Sequence, residues 1–217
     1  MNVEIWSDIA CPWCYVGKRR FEAALAAFEH RDEVQVAWRS FELDPGAPPE
    51  RERSGAEHLA EKYGMTVEQA RARQARLAEL AAADGLDMRF DLTRGANTFD
   101  GHRLLQLAAA HGVQGELKER LLRAHHTEGV LVSDHDTLVR LASEVGLAEG
   151  DVRDALAGDR FAAEVREDER TASALGIGAV PCFVVDRSLA VSGAQSAEVL
   201  GELLRRGRQA RSPLSVG

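Results

Sequence analysis

Apolar and polar side chains alternate with a period of two across Val3-Glu4-Ile5-Trp6-Ser7 and again from Val34 to Phe41, which predicts two strands. Between them Cys14, Phe21, Leu25 and Phe28 recur at helical spacing on one face, so the start of the chain reads as a βαβ unit. Asp44-Pro45-Gly46-Ala47-Pro48-Pro49 then breaks the chain. From about Ser54 to Leu175 there is no convincing strand, only helical patterns over Glu57–Tyr63, Val67–Ala83, Phe99–His111, Glu116–His126, Thr137–Val145, Val152–Leu156 and Phe161–Leu175. Thr66, Asn97 and Ser133 or Asp134 offer caps. Strand character returns at Cys182–Asp186 and Leu189–Val191, joined by an Asp186-Arg187-Ser188 turn that predicts a hairpin, and a last helix spans about Ser196 to Arg206. The two ends of the chain therefore supply a sheet, giving an α/β protein with 1–53 and 176–217 as one two-segment domain and 54–175 as a helical insertion subdomain.

Composition narrows the partners. A net charge of -8 and a pI near 5.4 argue against a nucleic-acid or anionic-membrane surface. The basic stretch Arg205-Arg206-Gly207-Arg208 reads as a solvated helix end, where cations favour the dipole. No run approaches the roughly 18 apolar residues of a membrane span. The first residues carry Glu4 and Asp8 and have neither a basic nor a long apolar region of the secretory kind, so the expected location is cytoplasmic. In a reducing cytosol a persistent structural disulfide is disfavoured, which makes paired cysteines candidates for redox chemistry.

Such a pair occurs at Cys11-Pro12-Trp13-Cys14, where the first strand gives way to the first helix. Cys11 is expected as the capping residue and Pro12 at the first helical position, where its fixed φ and missing N–H cost nothing. Unpaired amides of a first turn typically pull a thiol pKa from about 8.5 to between about 3.5 and 7.5, so Cys11 is expected to be largely ionised at neutral pH. Cys14 shares its face with apolar residues and reads as the sheltered resolving thiol. Cys11 would attack a substrate disulfide and Cys14 would displace the reduced substrate, or the steps would run backward to oxidise a dithiol. A zinc site needs a second ligand pair, and no other Cys-x-x-Cys or Cys-x-x-His occurs, so no metal is expected.

Gly176-Ile177-Gly178-Ala179-Val180-Pro181 places a proline directly ahead of an apolar strand, where it cannot donate a ladder hydrogen bond. With this segment and Cys11-Pro12-Trp13-Cys14 together, the chain resembles the DsbA-like branch of the thioredoxin superfamily. Cys14-Tyr15-Val16-Gly17-Lys18, Asn97-Thr98, His102-Arg103-Leu104, Glu128-Gly129 and Ser192-Gly193-Ala194-Gln195 are similar to the subgroup of the polyketide-biosynthesis dithiol-disulfide isomerase and the 2-hydroxychromene-2-carboxylate isomerases. The resemblance implies a thioredoxin fold with a large all-α insertion, a cis bond at Val180-Pro181 facing the dithiol, and substrate contact by Pro12, Trp13, Val180 and Pro181, the Val180 backbone pairing with a substrate peptide. It implies no bound cofactor, although a low-molecular-weight thiol could serve as co-substrate. Whether two chains pair as a homodimer is left open by the sequence.

The chain also departs from those relatives. The chromene isomerases carry a serine where Cys11 stands, which favours redox work here. Cys182, just after the proline, reads as a small buried hydrophobe rather than a third redox thiol. His125 and His126 read as packing residues, Asn97 as a helix cap, Asp8 as a turn residue, and Tyr63, Met65 and Met88 as core or groove lining. Three functions follow: a thiol-disulfide oxidoreductase acting on a disulfide- or dithiol-containing substrate; a thiol-dependent isomerase of small aromatic or polyketide compounds, whose activity would survive loss of Cys14; and a redox-switched chaperone or binding module. Reduction potentials of Cys-x-x-Cys proteins run from about -270 to -120 mV, so the motif does not set a direction.

Overall fold

A computed structural model describes residues 1–211. Strand β1 (Asn2–Ser7) leads into α1 (Pro12–Ala26), and β2 (Gln35–Ser40) returns parallel to β1, Val3 pairing with Val36 and Ile5 with Trp38. Helices α2 (Gly55–Tyr63), α3 (Val67–Ala83), α4 (Phe99–Ala110), α5 (Gln114–His126), α6 (His135–Glu144), α7 (Glu149–Ala157) and α8 (Ala162–Ala174) follow, before β3 (Cys182–Val185), β4 (Leu189–Ser192) and α9 (Ala197–Arg211). The sheet order is β2-β1-β3-β4, with β3 antiparallel to both neighbours. This is the βαβ…ββα order of a thioredoxin fold with an all-α insertion. No helix among the described residues is long and apolar enough to cross a membrane.

Because β1 is central it is buried on both faces, which is why Val3, Ile5 and Trp6 all lose contact with water. Val3, Ile5, Phe183 and Val185 pack under α1 and α9 against Phe21, Phe28, Leu200 and Leu204, with Phe21 and Phe183 stacked at 5.5 Å. On the opposite face Trp6, Cys182 and Val184 meet Ala172 of α8, and the Trp6 indole donates to the Asp168 carbonyl at 2.9 Å. Cys182 is thus a buried strand residue, its thiol pushed up by desolvation. The insertion has its own apolar centre, where Leu104, Leu107, Leu117, Leu121, Leu138 and Leu141 close around Ile9 from the β1–α1 turn.

Local chemistry explains the boundaries. Ser54 and Thr66 each form a reciprocal capping box, with Glu57 and Gln69. Asp134, not Ser133, caps α6, accepting from the Thr137 amide at 2.8 Å, while the Ser133 hydroxyl donates to the Pro49 carbonyl. The predicted hairpin closes through Asp186 and Arg187, both at positive φ (46° and 52°), as a two-residue turn that follows the strand twist requires. The cost of that conformation at two non-glycine residues is offset by Asp186 accepting from the Asn2 amide at 2.9 Å and Arg187 donating to Glu4 at 2.9 Å.

Beyond β2, Glu42 is packed against Glu169 and Arg166. Desolvation, assisted by Glu169, outweighs Arg166 and raises its pKa to about 7. An acid whose folded pKa lies above its unfolded value binds the extra proton in the native state, so stability falls as pH rises from about 4.5 to 7. Glu42→Gln is expected to flatten that decline in a pH series of urea midpoints; an unchanged slope contradicts the assignment.

Candidate active site

Where β1 ends, Asp8 organises the turn. Its Oδ1 accepts from the Thr98 hydroxyl at 2.8 Å and lies 3.2 Å from His102 Nε2, and its Oδ2 accepts from the Leu43 amide at 2.8 Å. One carboxylate therefore ties the turn to two separate segments, the loop after β2 and the start of α4. Burial opposes its charge, but the hydrogen bonds and charge of His102, with the Leu43 amide and Thr98, hold it at about 2. The Asp8 carbonyl accepts from the Cys11 amide at 3.4 Å, and Cys11 sits extended (φ -88°, ψ 111°) as the residue ahead of α1, with Pro12 at the first helical position.

The Val180-Pro181 bond is cis, and the Cys11 thiol lies 3.7 Å from the Val180 carbonyl oxygen. Two segments separated by most of the chain thus meet at one sulfur. Two glycines permit it. Gly193, at φ 85°, turns its amide to the Pro181 carbonyl at 2.7 Å. Gly17, one turn into α1, lets Pro181 pack directly on the helix: a Cβ there would stand 2.7 Å from Pro181 Cγ. Gly17→Val is accordingly expected to cost about 1–3 kcal/mol of stability. It should also slow disulfide exchange beyond what the unfolded fraction explains; a variant as active as wild type would show that the proline's seating is unimportant.

Both sulfurs are thiols and both are buried, Cys11 at 4% exposure and Cys14 at 0%, while Trp13 between them is 43% exposed. The sequence reading expects an anionic Cys11. In the structure the Cys11 thiol makes no side-chain cap bond and donates to the Val180 carbonyl. The neighbouring Cys14 sulfur and burial push the Cys11 pKa up, well above the ordinary value, rather than down. Burial also opposes charge on Cys14, but the Cys11 sulfur, the Lys118 ammonium, the Ser7 hydroxyl and the Asp8 backbone lower it overall. The first ionisation belongs to the pair.

Ser7 and Lys118 act on Cys14, and His125 and His126 stand on the same helix as Lys118, all four buried. His126 Nε2 is 3.0 Å from the Ile9 carbonyl, its ring stacks on Tyr15 at 6.0 Å, and desolvation drives its pKa well below the usual value; His125 falls to about 4 for the same reason. Both are neutral packing groups at neutral pH. Among the described residues no cluster of three His, Cys, Asp or Glu side chains is arranged to hold a metal ion.

A profile of the DSBA-like thioredoxin domain matches residues 2–205. The chain belongs to this family. Over 100% of its length, and 94% of the other's, it superposes on the crystal structure of a probable DsbA oxidoreductase from Streptomyces coelicolor with TM-score 0.94 and 48% identity. A DsbA-like fold is also shared with a 2-hydroxychromene-2-carboxylate isomerase, at TM-score 0.68 and 13% identity over 98% of this chain and 100% of that one. The uncharacterized protein YwbO of Bacillus subtilis (strain 168) is 25% identical over 212 residues, 92% of this chain and 93% of that protein.

Against that family background, Cys11, Pro12, Trp13, Cys14, Val180 and Pro181 fall at one place. Other singled-out residues are structural. Asn97 accepts from the Phe99 amide at 2.9 Å and donates to the Ala47 carbonyl at 3.2 Å, tying the proline-rich loop to α4. Gly129, at φ 66°, allows the Leu92 backbone to pass close by, and Glu128 pairs with Arg120 at 2.9 Å. Tyr63 is 59% exposed, whereas Met88 packs with Tyr15 and Leu86. Sequence reasoning gave Ser7 and Lys118 no part in the site, and named Thr98 and His102 only within segments similar to the relatives, not as partners of Asp8. For Lys118 a signal existed: it stands on the apolar face of its helix, in register with Leu121, Leu122 and His125.

Proposed function

We propose that this protein is a thiol-disulfide oxidoreductase in which Cys11 is the nucleophile and Cys14 the resolving thiol. The observation that carries it is the contact between the Cys11 thiol and the Val180 carbonyl beside a cis-proline, with Cys14 closed off behind. Cys11 keeps a small exposed surface beside Trp13 and Cys14 keeps none, so an incoming disulfide meets Cys11 first. The Cys11 thiolate attacks one substrate sulfur, whose partner leaves as a thiolate and takes a proton from water. Cys14 then attacks Cys11, the internal disulfide forms, and the substrate leaves reduced by two electrons. An oxidised starting enzyme runs the sequence in reverse. The 48% identical probable oxidoreductase supports this reading. We place the protein in the cytoplasm, with a low-molecular-weight thiol returning the disulfide to the dithiol.

Cys14→Ser is the informative variant. It is expected to accumulate protein or small-molecule mixed disulfides on Cys11, detected by non-reducing mass spectrometry, and these adducts identify the substrate. Full turnover in Cys14→Ser, with no adduct, would instead support the isomerase reading. Function retained by variants of both cysteines would point to the binding-module reading.

A further inference from the structure

The short segment Ser40-Phe41-Glu42-Leu43, where β2 ends, touches both halves of the candidate active site. The Leu43 amide donates to Asp8 Oδ2 at 2.8 Å, and the Asp8 carbonyl accepts the Cys11 amide. Phe41 packs into the same apolar cluster as Val180, the residue ahead of the cis-proline. Two further anchors lie on α8. The Ser40 amide donates to Asp168 Oδ2 at 2.9 Å, and the Glu42 side chain, 1% exposed, accepts from Arg166. Arg166 Nη1 donates to Glu42 Oε2 at 2.5 Å and to Glu169 Oε2 at 2.7 Å, so two carboxyls face each other across one guanidinium nitrogen. Their other oxygens, Glu42 Oε1 and Glu169 Oε1, are both buried and have no hydrogen-bond partner.

With both carboxyls ionised, two negative charges meet one positive charge and two buried acceptors go without a donor, which folded proteins rarely tolerate. One proton between the two carboxyls removes both faults: it supplies a donor and leaves one carboxylate for one guanidinium. We propose that Glu42 and Glu169 share a single proton whose departure to water at alkaline pH releases the segment Ser40–Leu43 and slows exchange at Cys11, the last step resting on the oxidoreductase reading. Glu169 is fixed within a regular helix, whereas Glu42 stands in irregular chain, so the repulsion that follows deprotonation turns Glu42 out to solvent. The Leu43 amide then leaves Asp8, and Phe41 loosens from the cluster that takes Val180. Either shift displaces one half of the site against the other.

The charged groups around the pair are accounted for. From α8 come Arg166, whose guanidinium also lies 4.3 Å from the centre of the Phe99 ring of α4, and Asp168, which is held by Ser40, Gln106 and Arg39. His102 of α4 senses Glu169, and Asp8 faces the segment from the β1–α1 turn. Asp44, the next acid along the chain, is paired with Arg51. Burial and the second carboxyl together outweigh Arg166 and put the Glu42 titration at about 7.

Carbon-13 NMR of the glutamate side-chain carboxyls in the whole protein reads the proton directly. In wild type one carboxyl is expected to titrate at about pH 7, and Glu42→Gln should abolish that titration. Glu169→Gln should lower the midpoint by about one pH unit or more, a tenfold effect, because Glu42 then has Arg166 to itself. The Leu43 amide reports the segment: its hydrogen-exchange protection should fall about tenfold from about pH 6 to about pH 8 in wild type and stay level in Glu42→Gln. Over the same range the exchange rate of Glu42→Gln divided by that of wild type, a ratio in which thiol ionisation cancels, should rise from about 1 to about 3–10. Ordinary midpoints for every glutamate, or a midpoint near neutrality that Glu169→Gln leaves in place, overturn the shared proton. Level Leu43 protection in wild type, or a flat rate ratio, overturns its link to the site. If Glu42→Gln does not fold, the carboxyl midpoints and Leu43 protection of wild type and Glu169→Gln decide. Absence of any disulfide exchange by wild type would defeat the parent reading instead and leave the carboxyl and Leu43 results standing.

Discussion

Cys11→Ser is expected to reduce disulfide exchange by about a thousandfold or more while leaving the melting temperature close to that of wild type. The size of the loss follows from the site's enclosure. Cys14 has no exposed surface, so no second sulfur can take over the attack, and a serine hydroxyl is not ionised at neutral pH. The stability expectation follows from the same geometry, since the substitution keeps a donor of similar size that can still face the Val180 carbonyl. A peptide disulfide with a fluorescent leaving thiol measures the rate, and circular dichroism checks the fold. Activity within about tenfold of wild type would show that the attacking sulfur lies elsewhere.

Asp8→Ala is expected to be the most damaging single change to stability, at about 3–5 kcal/mol. It strands the buried Thr98 hydroxyl and the Leu43 amide, and removes the anion that His102 faces. The wild-type carboxylate has its own pH signature. Its folded pKa of about 2 lies below the ordinary 3.8, so the ionised form is favoured by folding. That contribution is complete above about pH 4 and is lost as pH falls toward 2, amounting to about 2 kcal/mol. Denaturant titrations of wild type and Asp8→Asn across pH 2–5 check this, because the amide cannot titrate. Parallel curves would mean that the carboxylate has no preferential stabilisation in the native state.

What could be read from the sequence follows the range of the interactions concerned. The strands and most helices were legible because each carries its own period and caps, as with Thr66 ahead of α3 or the alternation of Val3 to Ser7. The dithiol was legible because spacing and Pro12 encode it locally. The cis-proline contact needed a resemblance, since nothing near Pro181 in the chain specifies that Cys11 will face it. The coupling between the two thiols was not legible for a related reason. Helix-terminus arguments consider Cys11 alone, whereas the two sulfurs, Lys118 and Ser7 act together after α5 has docked. Asp8 reads as a turn residue in sequence, and its partners Leu43, Thr98 and His102 arrive from positions up to His102 that no local pattern connects.

The centre of the sheet has a further consequence for biogenesis. Strand β1 is sandwiched between β2, which follows it closely, and β3, which is made only near the end of translation. At about 5–20 residues per second, on the order of ten to thirty seconds separate the emergence of Cys14 from that of Val185. Throughout that interval the nascent thiols lack the roof that β3 and its preceding loop later provide. The newborn chain therefore spends its first moments open to the very chemistry proposed for it.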